Sequence, residues 1–152
     1  MKRVLEHLEG NFAILATQNE VFNFDPITGF EPILIEKVNK FGVDTSEGFF
    51  PISQVKAVTV NAIYPDIELI PSERSSGVCK CIEDPATDRF KCLIGEKVNI
   101  SALVPTFLFE GEPVTVKEVG EGIVIVEDVQ DGITLFVAIS TCCVTRIKEA
   151  EM

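Results

Sequence analysis

Glu31-Pro32-Ile33-Leu34-Ile35-Glu36-Lys37-Val38 returns later in the chain as Glu112-Pro113-Val114-Thr115-Val116-Lys117-Glu118-Val119. An aromatic run and a glycine precede each copy: Val21-Phe22-Asn23-Phe24-Asp25 and Gly29 before the first, Thr106-Phe107-Leu108-Phe109-Glu110 and Gly111 before the second. Downstream, Phe50-Pro51-Ile52-Ser53 leading to Val58-Thr59-Val60 is echoed by Phe136-Val137-Ala138-Ile139-Ser140 leading to Val144-Thr145-Arg146-Ile147. The separation between copies drifts from 85 residues at the phenylalanines to 81 at Glu-Pro and 87 at Ile-Ser, so the length changes fall in turns and spare the apolar runs. A duplicated β-module behaves this way. A loop residue costs little entropy, whereas a one-residue slip turns the buried face of a strand outward.

Within the repeated stretch, Ile33 and Ile35 share one face, as do Val114 and Val116, while Val38 and Val119 return out of phase. A β-bulge near Glu36-Lys37 and near Lys117-Glu118 reconciles the two phases. Asp131-Gly132 predicts a hairpin joining Ile123–Val126 to Leu135–Val137. Val4, Leu5 and Leu8 suit a short N-terminal helix, and after Gly10 no window of a dozen residues holds a 3.6-residue period. The expected fold class is therefore all-β, with duplicated small modules, barrel- or sandwich-like, packed in tandem. The reading places a first module at residues 1–64, a Cys- and Pro-containing connector at 65–97 and a second module at 98–152. Modules of roughly 55 residues lie near the lower limit for solitary stability, so the two are expected to share a core.

The 152 residues carry 24 acidic and 13 basic side chains, a formal charge of -11, with no run of Lys or Arg. Such a surface repels phosphate backbones, so nucleic acid is not an expected partner. Apolar residues make up 46% of the chain, yet no stretch approaches the roughly 20 needed to span a bilayer. The apolar excess is expected to be buried within the fold or against partners. Met1 to Glu9 lacks the apolar centre of a signal peptide, which implies cytoplasmic synthesis.

Candidate chemistry is sparse. The single histidine, His7, stands beside Glu6 and reads as a solvated surface residue. Five cysteines, Cys79, Cys81, Cys92, Cys142 and Cys143, cannot all pair internally and are candidates for disulfides or for thiols that bridge subunits. On a strand Cys79 and Cys81 would share a face, and a turn through Asp84 to Asp88 would bring Cys92 opposite them. That leaves two main readings, a pairing of Cys92 with Cys79 or Cys81 and free thiols packed as small hydrophobes. A metal site would need a fourth ligand from Cys142 or Cys143 and lacks the usual C-x2-C spacing. Cys142 and Cys143 should point to opposite sides of an extended strand, one buried and one available to another subunit. Arg146 and Lys148 alone are near enough in sequence to lower a thiol pKa there. The acidic stretches 127–131 and 84–88 lack EF-hand spacing, and no phosphate loop or nucleophile elbow is present. No catalytic, cofactor or metal residues are assigned, and a non-enzymatic role is expected.

Two further stretches carry a family likeness. Phe12-Ala13-Ile14-Leu15-Ala16-Thr17, Val21-Phe22-Asn23-Phe24, Pro32-Ile33 and the Val38 strand form the first. The second is the closing run Phe136-Val137-Ala138-Ile139-Ser140-Thr141-Cys142-Cys143-Val144-Thr145-Arg146-Ile147. Together they resemble the spore-coat and exosporium proteins of the CotZ, CotY and ExsY type, whose closing pattern is F-x-V-D-L-x-C-F-C-A-I-x-C-L. The likeness covers about a third of the chain, in separate pieces. Ala138 replaces the aspartate of that pattern, and cysteines are fewer. The resemblance implies a structural subunit of ordered, disulfide-reinforced arrays around a bacterial spore.

The expected function is thus a self-associating structural protein whose partners are further copies or other structural proteins. The alternative is a binding module, tandem SH3-like or Sm-like barrels holding a peptide, a protein or a small ligand. In such barrels Phe22, Phe24, Phe107 and Phe109 would lie in the cores or at a groove.

Overall fold

The computed structural model describes residues 1–17, 21, 24–25, 29–61, 85–104, 112–120, 122–130 and 132–150. The chain begins with helix α1 (Lys2–His7) and strand β1 (Phe12–Ala16). Next come the two-residue pair β2 (Phe24–Asp25) and β3 (Gly29–Phe30), then β4 (Ile33–Val38), β5 (Gly42–Thr45), β6 (Gly48–Pro51) and β7 (Ala57–Asn61). Helix α2 (Pro85–Lys91) follows, with β8 (Lys97–Ala102), β9 (Val114–Gly120), β10 (Ile123–Gln130), β11 (Ile133–Ser140) and β12 (Val144–Glu149). Apart from the β2·β3 pair, the strands form one antiparallel ten-stranded sheet in the order β12-β8-β9-β10-β11-β7-β1-β4-β5-β6. The all-β reading holds.

The doubling is written in the hydrogen bonds. Gly10 N–H donates to Ile35 O at 2.8 Å, and Gly95 N–H donates to Val116 O at 2.8 Å. Ile35 N–H returns to Asn11 O at 2.9 Å, and Val116 N–H returns to Glu96 O at 3.0 Å. The Glu-Pro segments lead into β4 and β9, whose burial runs in the same sequence over their first four residues. The bulges fall as expected: pairing slips between Ile35 and Lys37 on β4, and Lys117 is left without a partner where Ile125 pairs Glu118 and Val126 pairs Val116. Glu36 and Lys117, the extra residues, are the sixth of each repeated octet.

Two 3₁₀ turns extend the correspondence, Ile52–Gln54 after β6 and Thr141–Cys143 after β11. Pro51 therefore stands where Ser140 stands, two residues away from the Ser53-to-Ser140 match that the sequence suggests. Val58 likewise matches Ile147 rather than Val144, because each faces the equivalent residue of the first strand of its repeat, Leu15 or Ile100. Among the described residues each repeat thus supplies a helix, five strands of the large sheet and a 3₁₀ turn. Residues 85–91, inside the stretch read as a connector, stand to the second set of strands as α1 does to the first.

Alternation along the central strands fills two cores. Ile123 and Ile125 of β10, Ala138 of β11, Val58 and Val60 of β7, and Ala13 and Leu15 of β1 join α1's Val4 and Leu5 in one cluster. The intervening Val124 and Val126, Val137 and Ile139, Ala57, and Ala16 join α2's Phe90 in the other. A stretch buried on both faces must be apolar throughout, which is why residues 123–126 of β10 and 135–139 of β11 read as unbroken hydrophobic runs.

Three local expectations change. Phe90 to Ile94, inside the stretch read as a connector, is the end of a helix and the turn after it, which went unseen because seven helical residues are too few to display a period. β5 was not anticipated, because Gly42, Asp44 and Thr45 leave Val43 as its one strongly apolar residue. Glu127 to Val129 lie in β10 rather than in a loop, with Asp128 buried and Glu127 paired to Lys117 at 3.2 Å. The hairpin itself is confirmed and longer than expected, running to Gln130 opposite Ile133.

Gly10 and Gly95 have φ of +79° and +88°, with open space where a Cβ would stand. Alanine at either position should therefore cost only the left-handed backbone term, about 1–2 kcal/mol. Urea unfolding of Gly10→Ala and Gly95→Ala is expected to show equal losses, since the two glycines do the same work in each repeat.

Candidate functional site

The two repeats meet strand to strand. β11, the fourth strand of the second repeat's meander, pairs with β7, the last strand of the first, placing Ala138 opposite Val58 and Phe136 opposite Val60. Ser140 N–H donates to Lys56 O at 2.8 Å at one end of this seam. The counterpart of β11 in the first repeat is β6, and the counterpart of β7 in the second is β12. These two strands are the ends of the sheet. The same kinds of strand that join inside the chain are therefore its outer edges.

Backbone direction can be followed at both ends. Ala150 N–H donates to Lys97 O on β8, so the alternating N–H groups of Ile147 and Glu149 face away from the sheet. By its match to Ala138, Phe49 presents its backbone outward on β6, while Pro51 has no N–H to offer. The β6 end carries Asp44 and Glu47, the β12 end Arg146, Lys148 and Glu149. Phe49 is 55% exposed and its ring lies against Gly42, where an added Cβ would come within 2.0 Å of it. Phe41, 72% exposed, carries Lys40 Nζ at 5.3 Å from its ring centre.

The adjacent cysteines sit on the 3₁₀ turn between β11 and β12, not on a strand. Cys142 is exposed and Cys143 buried, the expected division, produced here by a tight turn instead of strand alternation. Their sulfurs are 3.9 Å apart, and Cys142 Sγ is 3.0 Å from Ser140 Oγ. Thr141, between β11 and the cysteines, is buried. It accepts a hydrogen bond from Thr87 Oγ1 of α2 at 3.0 Å and donates its N–H to Gly122 O at 2.8 Å. Burial first, and then the neighbouring Cys142, push the Cys143 thiol up to about 11, so at neutral pH it stays protonated. The turn holds Cys143 as a packed hydrophobe and leaves Cys142 exposed to solvent.

Cys92 is an exposed free thiol just past α2. Cys79 and Cys81 lie outside the described residues, as do the side chains of Phe22, Phe24, Phe107 and Phe109, so the three-thiol grouping and the aromatic groove have no structural description. His7 is exposed at the last turn of α1. Asp88 pairs with Lys91 at 2.9 Å on α2. Among the described residues no group of three or more His, Cys, Asp or Glu side chains is placed to hold a metal ion. No helix among the described residues is long and apolar enough to cross a membrane.

No protein-family model, curated protein or solved structure matches this chain.

Sequence reasoning missed the helix of the second repeat, although its signature is present. Leu5-x-x-Leu8-x-Gly10 recurs as Phe90-x-x-Leu93-x-Gly95, and both copies bury the two apolar residues. That spacing extends the duplication upstream of the aromatic runs.

Proposed function

We propose that this protein is a non-enzymatic structural subunit whose copies join end to end, β6 of one against β12 of the next. The observation that carries the reading is the β11·β7 seam, an interface between repeats built from strands whose counterparts are the two edges of the sheet. An edge strand offers unpaired N–H and C=O groups, and a contact between unlike edges closes into a ring or grows into a filament. Transferring the seam register places Phe49 of one copy opposite Ile147 of the next, with Gly48 facing Lys148. The same register sets Glu47 opposite Glu149, so the contact rests on the backbone ladder and on Phe49 against Ile147 rather than on opposite charges. β6 is half as long as β11, and Pro51 removes one donor, so this contact is weaker than the seam and depends on concentration. An exposed Cys142 adds a means of covalent reinforcement under oxidising conditions, in keeping with the spore-array setting that the family likeness implies.

Sizing with light scattering over a concentration series, with and without reductant, tests the reading. The wild-type chain should grow in mass as concentration rises. Glu149→Pro, which removes an outward N–H, should hold the chain at monomer mass with an unchanged circular dichroism spectrum. A wild-type chain that stays monomeric at high concentration would end the proposal. The alternative, a ligand-holding tandem barrel, draws its support from a groove along the seam.

A further inference from the structure

A groove of about 300 Å³ runs across β1, β7 and β11, so both repeats contribute to it. Ile14 pairs with Thr59, which pairs on its other side with Val137, and Leu135 comes from the second repeat. Phe12, 61% exposed, Pro32 and Asn11 stand at one end. None of the described lining side chains is charged. Asn11 turns its amide nitrogen to Glu9 O at 3.3 Å.

Thr59 breaks the apolar pattern of this wall. The residue is 3% exposed, and its hydroxyl oxygen, with less than 1 Å² open to solvent, has no hydrogen-bond partner, the single buried side-chain polar atom of that kind among the described residues. An unsatisfied buried hydroxyl costs on the order of 1–3 kcal/mol, and valine would fill nearly the same space without that cost. The volume lies at the small end of the range for ligand sites, and at ~30 Å³ per water it matches about ten waters. A charged guest would be buried without a counter-charge, which is unfavourable. A guest with no polar atom would leave the hydroxyl as it is.

We infer that the seam groove binds a small, uncharged, mostly apolar molecule of about ten non-hydrogen atoms that places one hydroxyl or carbonyl oxygen on Thr59, whose closed-off hydroxyl turns into the groove as the guest binds. The site is independent of whether copies assemble, because every lining residue belongs to a single chain.

The test uses two probes of nearly equal shape, p-cresol and toluene, titrated into the full-length chain while the methyl resonances of Ile14 and Leu135 are followed. p-Cresol should shift both methyls saturably and bind roughly tenfold more tightly than toluene, the difference one hydrogen bond makes. Thr59→Val should bring the two probes to within about twofold of each other, and Leu135→Trp, which fills the groove, should abolish both. Thr59→Val should not lower the urea midpoint. Absence of saturable binding by either probe would overturn the inference, meaning that the groove takes only water or is covered by the rest of the chain. It would also be overturned if the preference for p-cresol survived in Thr59→Val, or if that variant lost stability, since the hydroxyl would then be serving the fold.

Discussion

Phe90→Ala is expected to lower folding stability by about 3–5 kcal/mol, the range for emptying a fully buried aromatic site. Phe90 is wholly buried where α2 meets the second core, packed in the cluster that holds Leu93, Val98, Val114 and Val116. Leu5 occupies the matching place under α1, and Leu5→Ala should cost about 2–5 kcal/mol. Because β10, β11, β7 and β1 supply alternate residues to both cores, either loss should move one common urea transition, followed by circular dichroism. Two separated transitions would mean that the repeats unfold independently. A domain of this size has about 5–15 kcal/mol in total, so Phe90→Ala should leave it close to unfolding.

Stability should also fall at high pH through Cys143. Burial raises its folded pKa from the ordinary 9.0 to about 11, with Cys142 adding to the rise and Lys56 and Ser140 opposing it. The sign follows from which state binds the proton more tightly. Below pH 9 the thiol is protonated in both states, and the stabilisation is fully present. Between pH 9 and 11 the unfolded chain releases the proton while the folded chain keeps it, and the stabilisation is lost. Two units correspond to about 2–3 kcal/mol. Other groups also ionise in alkali, so the reading is the difference between wild type and Cys143→Ala, measured by urea unfolding at pH 8 and pH 11. That difference should shrink by about the stated amount. A constant difference would show that Cys143 is not held protonated by the fold.

Much of the architecture was legible because strand phase leaves a mark on sequence. Ile33 and Ile35 against Val114 and Val116, the bulges at Glu36 and Lys117, and the Gly132 hairpin all follow from a period of two and its interruption. Short or mixed elements were not legible. α2 has fewer than two turns, so its signal is three residues, Phe90, Leu93 and Gly95, too few to stand out without α1 beside them. β5 carries one strongly apolar side chain and owes its existence to β4 and β6 on either side. Asp128 looked like a hairpin charge and proved to be buried, since acidic residues near a turn give no sign of how far the ladder extends past them.

The candidate sites divide in the same way. A buried-and-exposed pair at Cys142 and Cys143 was expected from alternation and is found, but on a 3₁₀ turn, where Thr141 is tied to α2 and to Gly122. Thr59 carried no signal at all. Within Val58-Thr59-Val60 a threonine is an ordinary strand residue, and only the packing of β7 between β1 and β11 makes its hydroxyl an orphan.

Sequence alone determined the all-β class, the doubling, the faces of β4 and β9 and their bulges, because backbone pleat and local turn chemistry act over a few neighbouring residues. Tertiary structure alone decided that the repeats join through β11 and β7, that they fill two cores from shared strands, and which edges remain at the ends of the sheet. Those outcomes depend on which strand lies beside which across distances of up to a whole repeat, and a residue's identity records its own burial but not the partner that buries it.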